Sequence, residues 1–230
     1  MKKGDLRKQE ILHTAEQLFC RKGYEQTSIQ DILDQLHSSK GSFYHHFISK
    51  EALLEGICRK RADQIFETLS LMIHEDDSVT DQLDACLSGM IPLRDEKLSF
   101  LLMILPVFLL PEGRMVRNAY CDSLAERFSS TVIRLLQRGQ REGVLVCNEP
   151  EIITEVILHM INRLWVKICT VIIDSELNHT ETDLSELLRI TDCYRQSAER
   201  ILVIPYGSLK LIDIPTLGQL TEQIHAHWKS

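Results

Sequence analysis

The chain has 230 residues, 44% hydrophobic and 26% charged, a balance that excludes intrinsic disorder and allows one large domain or two smaller ones. Its formal net charge of −7 is unevenly spread: residues 1–63 hold 11 Lys and Arg to 9 Asp and Glu, whereas residues 64–230 hold 15 to 24. A weakly basic head on an acidic body disfavours contact with a polyanion through the wrong face.

Few Gly, Pro and β-branched alternations point to an all-α chain. Met1-Lys2-Lys3-Gly4-Asp5 passes directly into a charged amphipathic pattern, so no signal peptide is expected. The first helix is predicted from about Asp5 to Lys22, with Ile11, Leu12, Ala15, Leu18 and Phe19 on one face. Arg21 and Lys22 suit its negative end, and Gly23 stops it. Ile29, Ile32, Leu33 and Leu36 recur at i, i+3, i+4 and i+7, the signature of a short second helix. Thr27 or Ser28 caps it, and Gln30 or Asp31 three residues later completes a capping box. Beyond His37-Ser38 comes Ser-Lys-Gly-Ser-Phe-Tyr-His-His-Phe, residues 39–47. Half apolar and half small, polar or cationic, this stretch has the composition of a recognition helix that docks on its neighbours and shows its N-terminal end to DNA. Ser49 then caps a long helix, with Ile48 placed to staple to Leu53.

Thr27-Ser28-Ile29 through Asp31-Ile32, Ser39-Lys40-Gly41, Phe43-Tyr44, His46-Phe47 and Lys50-Glu51-Ala52-Leu53-Leu54 resemble the DNA-binding domain of the TetR family of bacterial transcriptional regulators. The resemblance covers roughly residues 6–60. The family usually has a small residue, Gly and an apolar residue in the turn, where this chain has Leu36, His37 and Ser38. Histidine is among the non-glycine residues that tolerate a left-handed conformation there. The expected architecture is an N-terminal three-helix helix-turn-helix domain (1–60), a larger helical ligand-binding and dimerisation domain (61–204) and a C-terminal tail extension (205–230). Ser39, Lys40, Gly41 and Ser42 are placed to reach base edges and phosphates. Tyr44 is the family's usual phosphate contact and His45 its neighbour. Thr27 and Ser28 set a helix N-terminus against phosphate, and Lys50 does the same from the next helix.

That next helix, Lys50 to about His74, serves the head with Leu53, Leu54 and Ile57 and the body with Ile65, Leu69, Met72 and Ile73. Ser78 with Asp81 opens another, to about Ile91. The helix expected over 95–110 is apolar nearly all round, so it should be buried, with Pro106 interrupting it. Its most apolar run, residues 98–110, is too short to span a bilayer, and a soluble cytoplasmic protein without membrane contact is expected. Helices follow from about Arg114 to Arg141, from Pro150 to about Ile173 and from about Asp183 to Val203. The second of these is apolar on more than one face, which predicts packing against another subunit. The resemblance implies the same, a homodimer through those last two long helices. The tail shows a helical pattern through Leu217, Leu220, Ile224 and Trp228.

The seven cysteines (20, 58, 86, 121, 147, 169 and 193) never fall as C-x-x-C, which is not a zinc site or disulfide framework, and most of them read as small buried hydrophobes. Glu155 and His159 form at best half a metal site, and Arg163 with Lys167 reads as snorkelling cations. No nucleophile–base pair or phosphate loop is visible, so neither enzyme activity nor a cofactor is expected. The leading function is a ligand-released homodimeric repressor on near-palindromic double-stranded DNA. The alternative is a DNA-binding protein of the same fold controlled by a protein partner. An apolar effector cavity is expected among Leu69, Met72, Phe100, Met103, Phe108, Phe128, Met160 and Trp165, with His159, Asn162 and Arg163 orienting a small hydrophobic or aromatic effector.

Overall fold

The computed structural model describes residues 3–71, 73–74, 76–92 and 114–228, and all regular structure among them is α-helical. The helices are α1 (Lys3–Lys22), α2 (Ile29–Gln35), α3 (Lys40–Tyr44), α4 (Lys50–Ser70), α5 (Val79–Gly89), α6 (Arg114–Arg141), α7 (Pro150–Leu177), α8 (Leu184–Leu202) and α9 (Ile214–Trp228). The helix expected over 95–110, with Phe100, Met103, Pro106 and Phe108, lies outside the described residues, as does Met72. The described residues group into two compact units, one within Met1–Asp63 and Phe100–Ser123, the other within Gln64–Ser99 and Leu124–Ser230.

The head unit is built around Ile11, Leu12, Ala15, Ile32, Leu33, Phe43, Leu53 and Ile57, all buried. α3 is too short to stand alone; Phe43 and Phe47, one turn apart, hold it in this core. A side chain at Gly56 of α4 would come within 3.0 Å of Phe47 and 3.1 Å of Leu12, so glycine permits the close approach. Glu16 of α1, nearly buried, pairs with Arg61 of α4. Ile48 does not form the expected staple: it is 84% exposed, because the α3–α4 turn carries it outward.

The α2–α3 turn bears directly on the departure from the family pattern. Ser38 N donates to Leu33 O at 2.9 Å and His37 N to Asp34 O at 3.2 Å, with His37 at φ 48°. These two bonds make a Schellman ending, and histidine occupies the left-handed position that glycine usually fills. His179 and Val203 end α7 and α8 in the same manner, at φ 53° and 55°. For Val203 this is an uncommon conformation, since a β-branched side chain disfavours it.

In the body unit α7 is the central helix. Ile157, Leu158, Ile161, Leu164, Trp165, Ile168, Cys169 and Ile172 are all buried, and α8 and α9 pack against it. Its length and composition would suit a membrane span, but 61% of its apolar window is buried inside this chain. The C-terminal helix packs on α7 and buries its own Leu217, Leu220 and Ile224. Two carboxylates fix the segment leading to α9. Glu199, fully buried on α8, accepts from Arg195 at 3.0 and 2.9 Å, from Gly207 N at 2.9 Å and from Leu209 N at 3.0 Å. Asp84 of α5 accepts from Lys210 N at 2.7 Å and Leu211 N at 2.9 Å. His225 of α9 also meets Glu176 of α7. Of the cysteines, 58, 86, 147 and 169 are buried, 20 and 121 half-buried and 193 exposed. Burial pushes the Cys58, Cys121 and Cys169 thiols up to about 12, which keeps them protonated.

Candidate nucleic-acid interface

The interface is assembled from helix ends. At the start of α2, Asp31 N donates to Ser28 Oγ at 3.1 Å while the Asp31 carboxylate accepts from Ser28 N at 2.8 Å and from Ser28 Oγ at 2.7 Å. This is the expected capping box. Lys22 adds an ion pair to Asp31 at 2.9 Å. The Ser28 hydroxyl first, then Lys22, hold the Asp31 carboxyl well below the usual carboxylate range. At the start of α3, Ser39 Oγ accepts from Ser42 N at 3.3 Å. Phe43 then points into the core, its ring edge-on to Tyr44 at 5.4 Å, and Tyr44 is left 51% exposed.

The residues expected to meet DNA divide into two groups. Ser39, Lys40, Gly41, Tyr44 and His45 are exposed and Ser42 half-buried, all on or flanking α3, so they form one continuous surface. Ser28 is exposed, but its hydroxyl is engaged in the cap. Thr27 and Lys50 are corrections. Thr27 is 0% exposed and its hydroxyl donates to Gly23 O at 2.8 Å, which ties the α1–α2 connection together. Lys50 turns inward: Nζ donates to Tyr24 O at 3.0 Å and Thr27 O at 3.2 Å and lies 4.2 Å from the Tyr24 ring centroid. The carbonyl oxygens of the α1–α2 connection give the ammonium partners that sequence spacing does not reveal. Sequence reasoning also passed over His46, which is half-buried and edge-on to His45 at 4.9 Å between ring centroids. Burial first, then the cations of His45, Lys8 and Arg7, lower its pKa from 6.5 and favour the neutral ring.

Of the residues expected to line an effector cavity, Leu69, Phe128, His159, Met160, Asn162, Arg163 and Trp165 are among those described. Leu69 is buried at the end of α4 and Phe128 is buried on α6, edge-on to Phe66 at 5.1 Å. Trp165 Nε1 donates to Asn162 Oδ1 at 3.1 Å within the buried side of α7, and Met160 is half-buried. His159 and Arg163 need correction as orienting groups: both are exposed on the outer stripe of α7, because a helix that buries 158, 161, 162 and 165 turns 159 and 163 the other way. The signal missed in sequence was Arg134, Arg138 and Arg141 at i, i+4 and i+7 of α6, which share one cleft.

Residues 11–57 match the family model for bacterial regulatory proteins of the tetR family. The HTH-type transcriptional repressor KstR2 of Rhodococcus jostii is 40% identical over 60 residues, 26% of this chain and 29% of that protein. The HTH-type transcriptional regulator YfiR of Bacillus subtilis, itself uncharacterised, is 28% identical over 144 residues, 60% of this chain and 68% of that protein. Among relatives that match the head alone, the aligned part spans 18% to 30% of their own length. The crystal structure of a TetR-family transcriptional regulator from Pectobacterium atrosepticum superposes with a TM-score of 0.57 at 20% identity, covering 89% of this chain and all of that one. These relatives are regulators of transcription and not enzymes. At 20% identity that superposition speaks for the all-helical fold alone. The head of this chain, over residues 11–57, carries the DNA-binding domain of the TetR family of bacterial transcriptional regulators.

Proposed function

We propose that the chain is a cytoplasmic, homodimeric repressor that a small effector releases from a near-palindromic operator. The observation that carries the DNA-binding part is the division of α3: Phe43 and Phe47 are locked in the core while Lys40, Gly41, Tyr44 and His45 stay exposed. In a dimer, two such helices would enter successive major grooves about 34–36 Å apart. The test is selection of an operator from random duplexes, followed by titration with the Lys40→Ala, Tyr44→Ala double variant. Binding as tight as the parent's would reject this surface.

Dimerisation is supported by apolar side chains left on the outer stripes of α7 and α8, with Ile152 and Val156 on the former and Leu184 on the latter, all exposed. Val156→Glu, unlike a charge at the buried Ile168, perturbs this face without opening the core. It should shift sedimentation toward the monomer, and a parent protein that is monomeric at micromolar concentration would end this part of the reading. Control by an effector requires unequal binding to the DNA-fitting and DNA-releasing states. α4 runs from Lys50 in one unit to Ser70 in the other, so a ligand at its far end has a covalent route to the head. Control by a protein partner is the second reading. It is favoured by Trp165 and Phe128 filling their own surroundings with no exposed surface.

A further inference from the structure

A cleft of about 620 Å³ opens at the end of α4, beside α5 and the last turns of α6. That size lies within the roughly 300–1,000 Å³ of small-molecule sites. Its floor is Phe66, Leu69 and Leu135, and its rim carries Arg134, Arg138 and Arg141. The chain holds 33 acidic side chains to 26 basic ones, yet among the described residues no Asp or Glu lines this cleft. Arg138 is paired with Glu142 at 2.7 Å; Arg134 reaches the Thr131 hydroxyl at 3.4 Å, and neither Arg134 nor Arg141 has an acidic partner among the described residues. Like charges stacked on one helix face repel. The groove on the head between α1 and α2 offers a contrast. There Arg21 and Lys22 face Asp31 and Asp34, and Lys22 closes on Asp31 at 2.9 Å, so that groove neutralises itself. The cleft on the body does not.

The floor is held firmly. Phe66 lies edge-on to Phe128 and its other side is covered by Arg127, whose guanidinium carbon is 3.8 Å from the ring centroid. Leu69 nests against Gly89, where a Cβ would come within 2.7 Å of it. A fixed apolar floor beneath two guanidinium groups without acidic partners asks for a ligand with both characters. Guanidinium forks match carboxylate and phosphate oxygens, and the apolar floor rewards a hydrocarbon part.

We propose that this cleft binds an amphipathic organic anion, with its carboxylate or phosphate held by Arg134 and Arg141 and its apolar part on Phe66, Leu69 and Leu135. The proposal rests on the reading of the body as effector-binding and makes the expected small hydrophobic or aromatic effector an amphipathic anion. The test uses the full chain in titration calorimetry with octanoate, octyl phosphate, octanol and inorganic phosphate. Octanoate or octyl phosphate should bind, and which is tighter identifies the head group. Octanol and inorganic phosphate, each lacking one half of the recognition, should bind at least roughly tenfold more weakly, the size of a lost charged hydrogen bond. The Arg134→Gln, Arg141→Gln double variant should lose a similar factor, with its thermal melt reporting that it is folded. Arg189→Gln, on the exposed face of α8, should bind as the parent does. Octanol binding as tightly as octanoate, no binding by either anion, or a folded double variant with parental affinity would each overturn the proposal. The first of these comparisons needs no variant. Operator affinity is then measured with the bound anion present. Arginine-dependent binding without loss of operator affinity would leave the cleft standing and reject effector release. Release of DNA by neutral hydrophobic compounds alone would do the reverse.

Discussion

The head and the body use polar side chains in opposite ways. In the head, the helix ends are closed by side chains near in sequence, Ser28 with Asp31, Ser39 with Ser42, and Thr27 with Gly23, three or four residues apart, with Lys50 as the longer tie to Tyr24 O and Thr27 O. Local fixing of each helix end frees the outer face of α3 for a partner. In the body, the decisive polar contacts are long-range. Glu199 collects amides eight and ten residues away, and Asp84 collects two that are 126 and 127 residues away. The head is thus a set of locally specified helices carrying a prepared surface. The body is a tertiary assembly in which two single carboxylates, buried Glu199 and half-buried Asp84, hold the segment before α9 in place.

Removing the buried carboxylate tests this contrast most severely. Glu199→Ala leaves two backbone amides without their acceptor and Arg195 with Asp192 alone, and denaturant unfolding should show a loss of about 3–5 kcal/mol. Limited proteolysis should begin in the 205–213 segment. A loss near that of an ordinary surface substitution, about 0.5 kcal/mol, would mean the body does not depend on this clamp.

Next comes a pair of lysines in the head. Lys50→Ala removes two charged hydrogen bonds and should destabilise the fold by about 1.5–3 kcal/mol, read by thermal unfolding. Lys40→Ala should change stability by no more than about 0.5 kcal/mol yet weaken operator binding and change sequence preference. Equal effects of the two on stability would erase the division between inward and outward cations. Thr27→Val keeps the shape but deletes the hydroxyl that donates to Gly23 O, with an expected loss of about 1 kcal/mol in the same measurement.

The smallest effect is the acid response of the α2 cap. The Ser28 hydroxyl, followed by Lys22, lowers the Asp31 pKa from the ordinary 3.8. Below that value the unfolded chain takes up a proton that the folded one still refuses. The contribution is therefore complete above the ordinary carboxylate range and is lost as pH falls through the lower folded value. Denaturant titrations at successive acid pH values should show this loss, and Ser28→Ala should flatten it. An unchanged slope would place the acid sensitivity elsewhere.

The sequence by itself determined the helical class, the caps of α2 and α5, the exposed run on α3 and even the tolerance of His37 for the left-handed turn. Each of these depends on residues within one or two turns of one another, where spacing is geometry. Tertiary structure alone decided the rest. It turned Lys50 and Thr27 from DNA contacts into internal ties, because their partners are carbonyl oxygens that no side-chain pattern reports. It placed His159 and Arg163 outside, since the rotation of α7 is set by α8 and α9 packing on its apolar surface. It made a stop signal of Val203, which local preference disfavours, because Glu199 and the buried segment after it hold that end of α8. And it gathered three arginines of α6 over Phe66, Leu69 and Leu135, a cleft that exists only where separate helices meet.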